Sequence, residues 1–558
     1  MRPRRRRRRA LAAACLCALA VAACGGGRPH EHGLPPASAL VLMDGGPNSL
    51  DPALGDNPQA LEADWLVYTP LLTYLHTDGV AGTRPIPALA TTVPTVSDGG
   101  TLYTLTLRPG LRFSDGEPVR ASDFTRALER AVRLWPPAGR LLTGHIVGAS
   151  AFAAGRTRTI AGISTDDRTG EIRIRLTGPY GAFENLLALP VLAPVPAGTP
   201  LHGESRAPPP GVGLYTLADI LPGRSFSLIV NPGWRSLGIP FLPPTAHVDV
   251  RVRITHAPAA NAAAVLHDQA DLLDPSSPIP PDLVAAIQRH ASGRFRRRVA
   301  NSTYLAFLNV TRRPFSSQLA RLAVRAALDQ NTLVGLAAGG LWKGCYVLPP
   351  GVYGHPQDGC PDGNPAGDGN LRLGRALVRR SHMAGVAVTV WTPDAPPEED
   401  WMAYYASLLN RLGFRARLRR VSAGAYERAL SRQRPRAQTG LVQDAPLIPY
   451  PSAFYEVLTG RDLGPPSEAD AGGIDDSYID RAVDVLGDVP AASVGAVVDF
   501  WHQLELHTAR HAYVAVLGYA TVAEFTSARV DFGGLVFNPA MGIDWSSLRF
   551  TSNISGRG

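Results

Sequence analysis

The sequence has almost no lysine and little charge of either sign. Lys343 is its only lysine, and 54 arginines supply the other basic side chains. Charged residues make up 18% of the 558 positions, below the roughly 25% of ordinary proteins. This low charge density argues against a charged coiled coil, and the hydrophobic fraction of 45% argues against a disordered chain. At roughly 100–200 residues per domain, the length allows about three to five domains or lobes.

Several catalytic signatures are also missing. There is no Gly-x-Ser-x-Gly elbow, no His-Glu-x-x-His helix and no Gly-rich phosphate loop ending in Lys-Ser or Lys-Thr. The 14 histidines are scattered, without a tight cluster of metal ligands. We therefore expect a protein that is not an enzyme and that has no metal site and no cofactor. A secreted hydrolase is the enzyme alternative, because a catalytic triad assembles in space rather than in sequence.

The N-terminus resembles an export signal with a lipid attachment site. Residues 2–9 are rich in arginine, and residues 10–23 form an apolar run that is shorter than the roughly 20 residues needed to span a bilayer. The run ends in Val-Ala-Ala before Cys24, as in a bacterial lipobox. We expect a signal peptide at residues 1–23, a diacylglycerol on Cys24 and a flexible tether at residues 24–36. A plain secretory signal is the alternative, and the export route, Sec or twin-arginine, stays open.

Removal of the signal peptide leaves a nearly neutral chain. Seven of the arginines lie in residues 1–23, and the rest of the chain has 48 basic and 47 acidic residues. A net charge this small gives no electrostatic reason to expect a nucleic-acid partner. We expect a monomer held by its lipid on the extracytoplasmic face of the cell membrane.

The remaining cysteines predict one disulfide. After removal of residues 1–23 and acylation of Cys24, only Cys345 and Cys360 are left. They flank a Pro- and Gly-rich loop, and an exported chain meets oxidising conditions. We expect these two residues to be joined, which in the chain-entropy model stabilises the fold by about 3 kcal/mol.

Strand-like and helix-like patterns are mixed along the whole chain, which indicates an α/β or α+β fold. Alternating apolar residues predict strands at residues 40–43, 101–107, 171–176, 225–230 and 247–254. Helical periodicity predicts helices at residues 60–72, 121–133, 319–337, 398–412, 423–432, 475–486 and 494–508. Residues 386–391, the helix at 398–412 and residues 416–421 are typical of a βαβ unit.

From about residue 40 onward, an ordered series of motifs resembles the bacterial extracellular solute-binding proteins of family 5, which include oligopeptide-, dipeptide- and nickel-binding lipoproteins of ABC importers. The most specific block is residues 97–130, with the sequence LRPGLRFSDGEPVRASDFTRALER at its end. Weaker matches, in the order of the family, are residues 48–52, 68–72, 87–90, 211–215, 231–234, 268–271, 306–309, 314–315, 321–323 and 328–329.

The resemblance implies a two-lobed fold of the periplasmic-binding-protein type (type II, cluster C) with a hinge. Crossovers are expected near residues 300 and 510. The first lobe would comprise residues 37–299 with residues 511–558 returning to it, and the second lobe residues 300–510. A peptide or similar small solute would lie between the lobes, and an ABC permease would be the membrane partner.

The resemblance also implies ligand-binding residues. Gly440-Leu441-Val442-Gln443-Asp444 falls where peptide-binding members have Gly-Trp-x-x-Asp. Asp444 would pair with the peptide α-amino group, since a buried ammonium needs a charged partner, and the main chain of Gly440 and Val442 would contact the peptide as a strand. The alternative for Asp444 is a cap on the turn before Pro446.

A second candidate segment lies near the N-terminus of the mature chain. Asp56 and Pro58 occupy a loop that faces the ligand in peptide-binding members, and a solvated loop is the alternative. Within the same fold, two other functions stay open. One is capture of a metal or metal chelate, and the other is an envelope sensor or scaffold that does not serve transport.

Overall fold

A computed structural model describes residues 38–203, 207–357, 359–361, 367–430, 437–459 and 471–551. These residues belong to one contact unit, Ala37–Gly558. The predicted signal peptide, Cys24 and the tether lie outside the described residues and stay predictions. Among the helices that the structure describes, none has both the length and the apolar character to cross a membrane.

Strands and helices alternate along the described chain. The strands are β1 Ser38–Asp44, β2 Leu72–Tyr74, β3 Pro85–Pro87, β4 Thr95–Ser97, β5 Leu102–Thr106, β6 Ile163–Asp166, β7 Glu171–Arg175, β8 Tyr215–Leu221, β9 Ser225–Val230, β10 Asp249–Thr255, β11 Leu272–Leu273, β12 Phe295–Leu308, β13 Leu341–Trp342, β14 Ala387–Pro393, β15 Arg415–Val421, β16 Thr439–Asp444, β17 Val514–Thr526, β18 Val536–Asn538 and β19 Gly542–Asp544. The α-helices are α1 Pro58–Val67, α2 Ala121–Leu134, α3 Pro136–His145, α4 Ala149–Ala153, α5 Phe183–Leu186, α6 Pro258–Leu266, α7 Pro281–His290, α8 Gln318–Ala327, α9 Gln330–Leu336, α10 Leu371–Arg380, α11 Glu398–Leu412, α12 Ala423–Leu430, α13 Pro451–Phe454, α14 Ser477–Gly487 and α15 Val498–His511.

The largest sheet mixes parallel and antiparallel pairs. Its strand order is β15-β14-β16-β12-β17-β11-β1-β10-β9-β8, and β13 also pairs with β17. Parallel pairing joins β14 to β15 and β16 on one side of the sheet, and β1 to β10 and β11 on the other. The long antiparallel pair of β12 and β17 lies between these two parallel groups. A separate antiparallel sheet has the order β4-β5-β7-β6, and α2 contacts its edge strand β6.

The ladder of β12 and β17 is interrupted in its middle. Its register shifts between Val299 and Thr303, opposite Thr521 and Tyr519. The shift in β12 lies next to residue 300, where the first crossover is predicted. The facing residues of β17 lie about ten positions beyond the second predicted crossover, at 510. The lobe boundaries themselves stay a prediction.

Buried apolar side chains form separate clusters within the described residues. The largest contains side chains of α1, α2 and α5. A second packs α8 and α11 on β14, with Ala515 and Leu517 of β17. A third packs α6 and α7 against β1 and β11, with Phe525 near the end of β17. Because β17 contributes side chains to all three clusters, it connects the two halves of the sheet.

Each predicted strand and helix overlaps an element of the structure, although more than half of the described elements were not predicted. The predicted βαβ unit is present, with β14 and β15 parallel and α11 between them. The predicted helix at residues 319–337 is divided, because Leu328 is extended and Asp329 caps α9 by accepting a hydrogen bond from the Thr332 amide. The predicted helix at residues 60–72 ends at Val67, since Pro70 follows closely and restricts the residue before it.

The structure contains the predicted disulfide between Cys345 and Cys360, with the two Cα atoms 5.7 Å apart. Glu505 of α15 fixes the loop that this disulfide closes. Its carboxylate accepts hydrogen bonds from the amides of Val347, at 3.0 Å, and Leu348, at 2.8 Å.

Candidate functional site

Strand β16 brings three of the predicted ligand-binding residues onto one element. It pairs with β12 in antiparallel fashion along its whole length, from Thr439 opposite Leu308 to Asp444 opposite Thr303. On its other side, β14 pairs only with Thr439 and Gly440. The remainder of β16 therefore has no strand on that side among the described residues.

The packing around Gly440 explains why a glycine is present. A Cβ atom at this position would lie 2.8 Å from the Tyr426 hydroxyl and 2.9 Å from the Phe307 ring. The Tyr426 hydroxyl donates a hydrogen bond to the Leu441 carbonyl at 2.7 Å. Gly440 thus permits α12 to approach β16, and Tyr426 covers the first carbonyl beyond the last residue pair of β14 and β16.

Asp444 ends β16 and is buried, with 5% of its surface exposed. Val442 is buried as well. Residues 445–450 follow without regular structure, and α13 begins at Pro451. A carboxylate withdrawn from water at the end of a strand is chemically suited to a cationic group, because burial of either charge alone is costly.

The second predicted segment lies on a different element, and both of its named residues are exposed. Asp56 accepts a hydrogen bond from the Asn48 side-chain amide at 2.7 Å. Asn57 caps α1 by accepting a hydrogen bond from the Ala60 amide, and Pro58 is the first residue of the helix. The residues at the N-terminus of α1 are thus bound to the loop at Asn48. Asp56 already has an uncharged hydrogen-bond partner there.

A narrow crevice, with an enclosed space of about 10 Å³, lies close to the segment that follows Asp444. Its lining residues come from both halves of the chain: Thr83, Arg84, Pro85, Asn185, Tyr353, Pro449, Tyr450, Pro451, Ala491 and Val494. The first four belong to residues 37–299, and the other six belong to residues 300–510. Sequence reasoning missed these residues, because they are far apart in the chain and belong to no motif.

Two contacts beside the crevice join the halves of the chain. The Thr83 hydroxyl lies 3.1 Å from the Gly351 carbonyl, to which it donates a hydrogen bond. The Gly181 amide donates to the Gly487 carbonyl at 2.8 Å. A Cβ atom on Gly181 would lie 1.8 Å from the carbonyl oxygen of Val489, so only glycine allows this approach.

Glu184 is the buried acid of this region, with 3% of its surface exposed. Burial raises the pKa of its carboxyl to about 7, and the positive charge of Arg84 opposes the rise. The side-chain oxygen Oδ1 of the neighbouring Asn185 is buried and has no hydrogen-bond partner among the described residues. Together, Arg84, Glu184 and Asn185 place polar groups of different character near the wall of the crevice.

The fold is that of two-lobed binding proteins. The structure superposes on the clavulanic acid biosynthesis oligopeptide binding protein 2 with a TM-score of 0.77 and 22% sequence identity, over 93% of this chain and 97% of that chain.

The sequence identifies the family. The chain belongs to the bacterial extracellular solute-binding proteins, family 5, because the family model described as "Bacterial extracellular solute-binding proteins, family 5 Middle" matches residues 84–460. The resemblance predicted from the motifs is thereby confirmed.

Two curated relatives from Escherichia coli strain K12 are similar to part of the chain. The probable deoxycholate-binding periplasmic protein YgiS is 30% identical over 270 residues, which cover 46% of this chain and 48% of that protein. The glutathione-binding protein GsiB is 29% identical over 270 residues, covering 46% and 47%. The chain thus spans about half the length of the curated relatives that it matches.

Proposed function

We propose that this protein is the membrane-tethered, extracytoplasmic solute-binding component of an ABC importer. It captures a peptide or a similar small solute between two lobes and releases it chemically unchanged to a permease. Family membership supports this role, and so does the name of the similar oligopeptide binding protein. The lipobox-like sequence before Cys24 supports a diacylglycerol anchor.

The observation that carries the proposal is that β16, beyond Gly440, pairs with no strand on its β14 side among the described residues. An extended peptide could add there as a strand, with its main chain supplying affinity. Alternate residues of a strand direct their amide and carbonyl groups to opposite sides. Because the Leu441 carbonyl faces Tyr426, the amide and carbonyl groups of Gln443 face that same side of β16. The amide and carbonyl groups of Gly440 and Val442 face β12. We therefore propose Gln443, rather than Gly440 or Val442, as the main-chain partner.

We propose Asp444 as the partner of the peptide α-amino group. It stands one residue beyond Gln443, so a peptide paired with that residue would have its N-terminus close to the carboxylate. A hydrogen bond to a charged group is worth about 1.5–3 kcal/mol. Main-chain pairing plus one charged contact would accept many side chains.

We also propose that the interrupted ladder of β12 and β17 is the hinge. The first lobe would then comprise residues 37–299 with the C-terminal segment, and the second lobe would begin near residue 300. The return crossing would lie at residues 519–521 rather than at 510, because Ala515 and Leu517 pack with α8 and α11. The crevice lined by Arg84 and Tyr353 would lie between the lobes.

Calorimetric titration of the full chain with tri-alanine and with N-acetyl-tri-alanine tests the proposal. We expect the free-amine peptide to bind more tightly. In the Asp444→Asn variant this preference falls by about 10- to 100-fold, which corresponds to the loss of a charged hydrogen bond. Asp394→Asn is a matched control, because Asp394 is an exposed acid just beyond the neighbouring strand β14.

The outcomes separate the parts of the proposal. Equal losses for both peptides would remove Asp444 from the amine-binding role. Binding of glutathione or deoxycholate without binding of either peptide would keep solute capture and replace the peptide. Binding of none of these solutes would favour a sensor or scaffold instead of an importer subunit.

A further inference from the structure

Two histidines and an aspartate meet at one end of α15. His507 and His511 lie one helical turn apart in the last part of this helix, and Asp476 immediately precedes α14. One possible ligand atom from each of the three side chains lies within 4.8 Å of the others. All three side chains are partly accessible to solvent. Sequence reasoning treated these histidines as scattered, although the His-x-x-x-His spacing places both on one face of a helix.

We propose that Asp476, His507 and His511 bind a divalent transition-metal ion of the Zn²⁺ class. Two imidazoles and a carboxylate form a ligand set that Zn²⁺ accepts, with a water molecule completing a tetrahedral site. Imidazole ligands favour zinc, copper, nickel and iron over calcium and magnesium. This metal site would be independent of the solute proposed to bind between the lobes.

The existing contacts orient the ligands. Asp476 uses one carboxylate oxygen to cap α14, accepting a hydrogen bond from the Tyr478 amide at 2.9 Å. Its other oxygen lies 2.7 Å from Nε2 of His507 and 2.7 Å from the Tyr513 hydroxyl. The rings of His507 and His511 lie side by side, with centroids 4.5 Å apart. Such partners hold a carboxylate in place and raise its suitability as a ligand.

Small side-chain movements would complete the site. Metal–ligand distances of about 2.0–2.2 Å place the ligand atoms of a tetrahedral site about 3.4 Å apart. The carboxylate and His507 would have to separate slightly, and His511 would have to turn towards them. Side-chain rotations of this size leave the cap on α14 intact, because that cap uses the other oxygen of Asp476.

Charged side chains around the cluster both oppose and favour the binding of a cation. Arg321 lies near the site, with its guanidinium 5.4 Å from the Tyr513 ring and a hydrogen bond to the His511 carbonyl, and its charge opposes a cation. Asp475 precedes Asp476, Asp480 follows it by four residues, and both contribute negative charge. The ligand set of two imidazoles and a carboxylate therefore lies within a region of mixed charge.

The cluster is remote from the proposed solute site. The Leu308 amide at the end of β12 donates a hydrogen bond to the carbonyl of Tyr513, so the cluster lies at that end of the strand. Asp444 pairs with Thr303, five positions earlier, and at about 3.3 Å per residue this is roughly 16 Å away. A bound ion would join the loop before α14 to the last turn of α15 and would stabilise the native state.

Zinc titration of the full chain, stripped of metal with a chelator, tests the proposal. Because His30 and His32 lie in the predicted tether, all measurements use the His30→Ala/His32→Ala background. We expect one Zn²⁺ per chain, and at least a tenfold loss of affinity in His511→Ala, since even outer-shell partners cost about 10- to 100-fold. His502→Ala is the matched control on the same helix and should bind as the background does.

A second measurement distinguishes a metal site from a structural network. Zn²⁺ should raise the unfolding temperature of the background protein, and His511→Ala should abolish this rise while leaving the contact of Asp476 with His507 in place. If His511→Ala proves unfolded, His511→Gln replaces it. Absence of binding by the background protein, or equal binding by the His511 and His502 variants, would overturn the proposal.

Discussion

At the level of single residues, a buried ion pair joins two motifs that are far apart in the sequence. Arg130 at the end of the long motif and Asp51 in the motif at residues 48–52 are both almost completely buried. The guanidinium Nη2 donates to both carboxylate oxygens, at 2.7 and 2.6 Å. Removing one partner would leave the other charged, buried and unpaired, which is far more costly than losing a surface pair.

Arg130→Met should therefore lower the free energy of unfolding by about 3–5 kcal/mol. Urea unfolding measures this change. Arg133→Met on the same helix is the control, because Arg133 is exposed and stacks on the Phe152 ring, a contact worth about 0.5–1 kcal/mol. Similar losses for the two variants would show that the buried pair has no special role.

Glu184 predicts a dependence of stability on pH. Its pKa is raised by burial to about 7 in the folded protein, near Arg84, Tyr103 and Tyr450. Between about pH 4.5 and pH 7 the folded chain keeps a proton that the unfolded chain has lost, so stability falls as pH rises through this window. Glu184→Gln should therefore be more stable than the wild type at about pH 8, by about 1–3 kcal/mol, and similar at about pH 5.

Urea unfolding at both pH values provides the measurement. Glu171→Gln serves as the control, because Glu171 is a partly exposed acid beside Arg173, and its substitution should change stability little at either pH. A Glu184→Gln variant that follows the pH dependence of the wild type would contradict the assignment.

At the scale of secondary-structure elements, hydrophobic periodicity was sufficient to predict the bounds of an element whose pattern is uninterrupted. The bounds of β9 and α11 are those predicted, because strict alternation and an uninterrupted helical pattern set them. The prediction of one long helix at residues 319–337 was wrong, because Asp329 starts a second helix within the apolar pattern. Hydrophobic periodicity shows which face of a helix is buried. It does not reveal an interruption of the helix when the apolar pattern continues on both sides of it.

Only those residues of the candidate site that lie on one continuous segment of the sequence could be predicted. A motif placed Asp444, Gly440 and Val442 on one segment, and the structure shows that segment as β16. Arg84, Tyr353 and Tyr450 of the crevice come together through tertiary packing, for which a single sequence offers no signal. For His507 and His511, the helical spacing was present in the sequence, but the loop residue Asp476 joins them only in space.

The loop closed by the disulfide provides a prediction at this scale. Cys345 and Cys360 are separated by 15 positions, and a cross-link over a loop of this length stabilises by about 3 kcal/mol. The double variant Cys345→Ser/Cys360→Ser should lose about 2–3 kcal/mol in urea unfolding. The wild type under reducing conditions should match the double variant. Identical stability of oxidised and reduced wild type would contradict the prediction.

At the scale of the whole molecule, the contact between Gly181 and Gly487 predicts a change of shape. A methyl group at position 181 would collide with the Val489 carbonyl and push the two halves of the chain apart. Gly181→Ala should therefore increase the radius of gyration measured by small-angle X-ray scattering. Gly178→Ala is the control, because an added Cβ there meets nothing within 4 Å. Equal radii for the two variants would show that this contact does not hold the halves together.

The central claim is that two hinged lobes hold a small solute without altering it. Native mass spectrometry of the full chain, incubated with tri-alanine, glutathione or deoxycholate in turn, tests this claim most directly. We expect one solute molecule per chain, which is recovered with its mass unchanged when the protein is denatured. A protein that retains none of these solutes, or that returns a product of different mass, would rule out capture without chemistry.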